Sequence, residues 1–124
     1  MFKKYFTLYE ARQQLVLVKT IVNDILTRGQ MMKQLIVADS GEDIPIAARR
    51  IFEEIETLIV ELERMGCYYK DWQFEYGLVD FPAIVDGQNV LLCWRSDESD
   101  INWFHSVDDG YQNRKPLPVE WLIS

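Results

Sequence analysis

The chain has 124 residues, 48% of them hydrophobic and 27% charged, which suits one globular domain and excludes a disordered chain. The formal net charge is −7, and the basic pairs Lys3-Lys4, Arg49-Arg50 and Arg114-Lys115 build no stripe. Nucleic-acid binding is therefore not expected, and an acidic surface is repelled by anionic membranes. No run approaches transmembrane length, and the two cysteines, Cys67 and Cys93, lie far apart without a CxxC pattern. A cytoplasmic protein with reduced thiols is the expected setting.

Taken in chain order, the first element is a helix. Thr7 and Glu10 have the spacing of a capping box. Ala11, Leu15, Val18, Val22, Ile25, Gly29, Met32 and Ile36 then recur at alternating intervals of four and three, a heptad seam. Gly29 interrupts it and is expected to bend or loosen the helix, at about 1 kcal/mol of propensity against Ala. Val37–Pro45 reads as the turn, with Asp43 as cap and Pro45 in the next helix's first turn.

The second helix carries its seam at Ile44, Ala48, Ile51, Ile55, Leu58, Leu62 and Met65, and Gly66 ends it. A rod of this kind measures about 33 Å at about 1.5 Å per residue. Two such rods across a short polar turn predict an antiparallel hairpin. Phe52, Ile59 and Val60 flank the seam and widen the apolar stripe, so the sheet or a second copy must cover them.

Beyond Gly66 the period becomes two. Cys67–Trp72, Leu78–Val85, Asn89–Arg95 and Ile101–Val107 are strand candidates, rich in aromatic and β-branched residues. Asp86-Gly87 predicts a two-residue hairpin turn. Ser96–Asp100 is a polar loop, and the chain is expected to end as an extended tail. The fold class expected is α+β: a long antiparallel helical hairpin (7–66), an antiparallel β-meander of about four strands (67–107) and the tail (108–124), all in one domain.

The turn fixes a register. Val85 faces Gln88, Ala83 faces Val90, Phe81 faces Leu92 and Val79 faces Trp94, an apolar face for the helices that Asn102, Phe104 and Ser106 extend. The other face then carries Asp80, Pro82, Leu91, Cys93, Arg95, Ile101, Trp103 and His105. Pro82 falls opposite Leu91 in a non-hydrogen-bonded pair, so it marks a local sheet edge. A carboxylate on a half-buried aromatic surface needs a partner, and Arg95, diagonal to Asp80, is the expected one.

Asp80, Arg95, Trp103, His105, Cys93 and Asp108 are thus the candidate polar site: acid, cation, imidazole and aromatic wall. A structural ion pair accounts for the same residues. Cys93 shares its face with His105, but a buried structural thiol is the simpler assignment. A lone histidine without a spaced partner makes no zinc motif, and Asp108–Gly110 reads as a turn, so no metal or cofactor is expected. No phosphate loop or GxSxG motif occurs.

"YFTLYEA", "GCYYKD", "GLVDFPAIVDGQNVLLCWR" and "WFHSVDDGY", in that order, resemble the prokaryotic family described as domain of unknown function 2203, from Phe6 to about Pro116. Gly66, Asp71, Gly77, Asp80, Phe81, Pro82, Gly87, Cys93, Trp94, Arg95, Trp103, His105, Asp108 and Gly110 match its motif. The resemblance implies that Asp80, Arg95 and His105 belong to the family's shape. It implies no activity.

Two functions of different class fit these residues. The leading one is a self-associating assembly domain, a homo-oligomer through the helical hairpin or the aromatic sheet face. The alternative is a small-molecule-binding protein or hydrolase using the Asp80, Arg95 and His105 face. A third, an accessory subunit with another protein partner, fits the same apolar surfaces.

Overall fold

The computed structural model describes residues 2–38, 41 and 43–122. Two helices, α1 (Leu8–Ala38) and α2 (Ile46–Arg64), precede five strands: β1 (Tyr68–Tyr69), β2 (Leu78–Val85), β3 (Gln88–Arg95), β4 (Trp103–Ser106) and β5 (Lys115–Pro116). The sheet is antiparallel throughout in the order β1-β2-β3-β4-β5. A short 3₁₀ turn (Tyr111–Asn113) precedes β5, and one helical turn, α3 (Val119–Leu122), follows it. The α+β hairpin-and-meander architecture is therefore present, with a fifth strand.

The capping box forms at both bonds. The Thr7 amide donates to Glu10 Oε1 at 2.9 Å, and the Glu10 amide donates to Thr7 Oγ1 at 3.0 Å. Ala11, Leu15, Val18, Val22, Ile25 and Gly29 are buried along α1 as the seam requires; farther on, Met32 is half-buried and Ile36 exposed.

Gly29 is not a weak point. A Cβ there would overlap the side chain of Phe74, so the bare backbone lets a buried aromatic ring lie against the helix. Phe74 holds that position with a left-handed φ of 57° in the loop after β1. Asp71 fixes the loop by accepting from the amides of Gln73, Glu75 and Tyr76, and Gln30 of α1 donates to the Phe74 carbonyl at 2.6 Å. This loop is why the first strand spans Tyr68–Tyr69 and not Cys67–Trp72.

α2 begins later than its seam suggests. Pro45 is its N-cap, in extended geometry, and Asp43 does not cap it. Proline disfavours helical geometry in the residue before it, which leaves Ile44 outside the helix and exposed. The expected turn falls partly on residues 39, 40 and 42, which lie outside the described residues. Of the flanking residues, Ile59 is buried in the core while Phe52 and Val60 remain 38% and 42% exposed.

The β2–β3 register is the one set by the turn. Val85 pairs with Gln88, Phe81 with Leu92, Asp80 with Cys93 and Val79 with Trp94. Asp86 and Gly87 both take positive φ, 51° and 77°. Val79, Phe81, Ala83, Val90, Leu92 and Trp94 form one core with α1 and α2.

Two expectations about this sheet change. Ile101 belongs to that core and not to the outer face, and Asn102 and Ser106, expected to extend the inner face, are exposed, because β4 spans only Trp103–Ser106: strand alternation does not reach back to 101 and 102, and Ser106 lies at the strand's end. Arg12 of α1 holds the Ile101 carbonyl at 2.9 Å, and Lys19 holds that of Ser99 at 2.7 Å. The tail is not simply extended: Lys115-Pro116 pairs with β4, and Trp121 packs on Phe104 with ring centroids 4.8 Å apart. Ile123 and Ser124 lie outside the described residues.

Candidate functional site

The outer sheet face collects the polar residues. Asp80 on β2, Cys93 on β3 and His105 on β4 come from three adjacent strands, and register alone brings them together. Cys93 lies directly opposite Asp80, while His105 lies opposite Leu91, one step along the same face. All three are buried; Asp80 and His105 are 4% and 3% exposed.

Asp80 finds its partner in His105, not Arg95. His105 Nε2 lies 3.1 Å from Asp80 Oδ1, and His105 Nδ1 lies 2.8 Å from the Ser106 carbonyl oxygen. Both ring nitrogens therefore face acceptors, an arrangement that suits the doubly protonated ring beside a carboxylate. Burial of the ring opposes that charge. The bonds to Asp80, Cys93 and the Ser106 carbonyl outweigh it and raise the His105 pKa to about 10.

Arg95 keeps its place on the outer face but is taken locally. It donates twice to Asp97, two residues along, bonds the Tyr111 hydroxyl and stacks against the Tyr76 ring. Trp103 is likewise occupied: the Arg114 guanidinium lies 4.5 Å above its ring and is bound by Glu98 at 2.6 and 3.0 Å. Asp108 is exposed in a turn. The neighbouring Asp109 accepts from Ser106 Oγ at 3.0 Å. The six candidates thus separate into a buried trio, two residues engaged at its margin and one in solvent.

Over the trio runs the segment after β4. A pocket of about 480 Å³ lies between that segment and the sheet. Asp80, Cys93 and His105 line it together with Leu78, Leu91 and Val107, and Lys70, Asp109 and Tyr111 complete its polar wall. Lys70, Asp109 and Tyr111 are contributors that pattern reading misses. Lys70 lies just past the end of β1, Asp109 in a loop and Tyr111 in the 3₁₀ turn, and only the aromatic-polar run after Gly110 hints at a covering segment.

The family model described as "Uncharacterized conserved protein (DUF2203)" matches residues 4–117. The chain belongs to this family. No curated protein and no solved structure matches it. The DUF2203 match covers α1, α2, all five strands and every residue lining the pocket, and stops before α3. None of the helices among the described residues is long and apolar enough to cross a membrane.

Proposed function

We propose that this DUF2203 chain is a small-molecule-binding protein whose ligand sits on the outer sheet face. One observation carries the reading: a pocket remains between the sheet and the segment that covers it, with Asp80, Cys93 and His105 facing into it. Its volume of about 480 Å³ falls in the range of small-molecule sites, about 300–1,000 Å³. Leu78, Leu91 and Val107 offer apolar contact, while the trio, Lys70 and Tyr111 offer charge and hydrogen bonds. A purely structural Asp–His pair needs no space above it. The reading is one of binding; nothing in the geometry selects a reaction.

The test is a thermal-shift screen of carboxylates, phosphates, amines and nucleosides, run in chelator. Compounds that raise the melting temperature of the native chain should not do so for Val107→Trp, which fills the pocket. A library with no stabilising compound, or hits equally effective on Val107→Trp, overturns the reading.

A second reading, homo-oligomer formation, is supported by a different surface. Met32, Ile36, Ile44, Ala48 and Phe52 line an apolar groove between the helices, edged by Arg49, Glu53 and Glu56. Phe52, 38% exposed on this groove, is apolar surface that a second copy would cover. Sedimentation equilibrium at micromolar concentration tests it: a 14.7 kDa species excludes the dimer. The free thiols Cys67 and Cys93 support a cytoplasmic setting, and the net charge of −7 supports an absence of nucleic-acid and anionic-membrane partners.

A further inference from the structure

We infer that Asp80, Cys93 and His105 form a binding site for a divalent transition-metal ion of the zinc class, with one coordination position open to the pocket. The inference rests on the reading of that pocket as a ligand site and names the first thing it binds.

Geometry is the first support. One carboxylate oxygen, the Cys93 sulfur and one His105 ring nitrogen all lie within 4.8 Å of one another. Bonds of about 2.0–2.3 Å to tetrahedral zinc put neighbouring donors about 3.3–3.7 Å apart. Side-chain movements of about 1 Å from the present positions therefore complete the cage. The donors sit on paired strands, so the backbone beneath them needs no rearrangement.

Donor chemistry is the second. A thiolate with an imidazole selects zinc, cobalt or a similar ion over magnesium or calcium, whose preferred ligands are oxygens. His105 is already oriented for the task. Its Nδ1 faces the Ser106 carbonyl, so when an ion displaces the Nε2 proton, the remaining N–H at Nδ1 holds the ring with Nε2 aimed towards Asp80 and Cys93. His105 engages only Oδ1 of Asp80, and that carboxylate brings a second oxygen to an ion. Arg114, ion-paired with Glu98 at 2.6 Å, also reaches Cys93, a cation that favours the thiolate an ion needs.

Access is the third. All three residues line the pocket, so the fourth position faces a space that water or a small molecule can fill. Three protein donors with an open fourth position is the arrangement of zinc sites that act on a bound molecule, whereas purely structural sites close all four.

Cobalt(II) titrated into the reduced, metal-stripped full chain tests this. We expect one ion per chain by equilibrium dialysis and a thiolate-to-cobalt charge-transfer band in the near ultraviolet. Cys93→Ser should lose the band, and Asp80→Asn or His105→Gln should weaken binding by at least about 100-fold, since even outer partners of a ligand are worth about 10–100-fold. Cys67→Ala should keep band and stoichiometry. No ion bound to the folded native chain, or a band that survives Cys93→Ser, overturns the site. If Cys93→Ser does not fold, the native chain still decides: zinc must protect Cys93, and not Cys67, from alkylation. Small-molecule stabilisation in chelator without cobalt binding defeats the ion and leaves the pocket. Cobalt binding without any small-molecule ligand upholds the ion and defeats the pocket reading.

Discussion

Asp80 and His105 stand on strands that are not neighbours, yet their side chains meet across β3 at 3.1 Å. The contact joins β2 to β4 over the central strand, so it reports the register of both pairings at once. Asp80→Ala leaves the buried imidazole without its counter-charge. The expected cost is about 3–5 kcal/mol in urea melts with chelator present, and Asp80→Asn, which keeps an oxygen acceptor, should cost less. A loss under about 1 kcal/mol, the level of an exposed pair, would show the contact to be unimportant.

The same pair gives stability a pH dependence in the metal-free chain. The folded His105 pKa of about 10 lies above the free value of about 6.5. The pair's contribution is therefore full below about pH 6.5 and is lost as pH rises through about 10. Denaturation midpoints of the native chain should fall over that window, and those of His105→Gln should fall less. Parallel profiles for the two proteins would contradict this.

Alkylation should distinguish the two thiols. Burial raises the Cys67 pKa to about 12, with Lys4 offsetting it slightly, and Cys67 lies in the core. Cys93 borders the pocket. Iodoacetamide in chelator, followed by peptide mass mapping, should label Cys93 first. Equal rates, or Cys67 first, would place the opening elsewhere.

Gly29→Ala should destabilise the fold by about 1–3 kcal/mol, because the added methyl collides with Phe74 in a packed site. In the Phe74→Leu background the same change should cost less, and the double-mutant cycle measures that coupling. Strict additivity would mean that the two residues do not share the site.

Leu92 is fully buried on the core face. Leu92→Ala should cost about 2–5 kcal/mol. A cost well below 1 kcal/mol would be incompatible with Leu92 at the centre of the sheet's inner face.

Legibility in the sequence followed the range of the determining interaction. Thr7, Glu10 and Asp86-Gly87 act within a few residues, and they yield the helix start and the hairpin register directly. The partner of Asp80 is another matter. Arg95 and His105 share its face, and a diagonal arginine is the nearer choice on paper. What removes Arg95 is Asp97, two residues on, a pairing that asks little ordering of the chain. What supplies His105 is β4, whose placement depends on Arg12 and Lys19 of α1 gripping the loop before it. Gly29 was misleading for a similar reason: propensity weighs a residue alone, and Phe74 arrives from 45 positions away. The segment after Ser106 has no period to read, so its role as the pocket's cover is a tertiary fact.

Pro82 has one further consequence. Its carbonyl accepts the Phe6 amide at 2.7 Å, and Phe6 bridges Ala83 in parallel, so the edge that proline opens is closed by residues made long before it. During synthesis the helical hairpin emerges while that edge does not yet exist. Phe6 and the apolar seam of α1 must wait, uncovered, until residues 78–95 have followed. The order of manufacture is thus opposed to the order of closure, and the interval between them is when this chain is most exposed to mispairing with its neighbours.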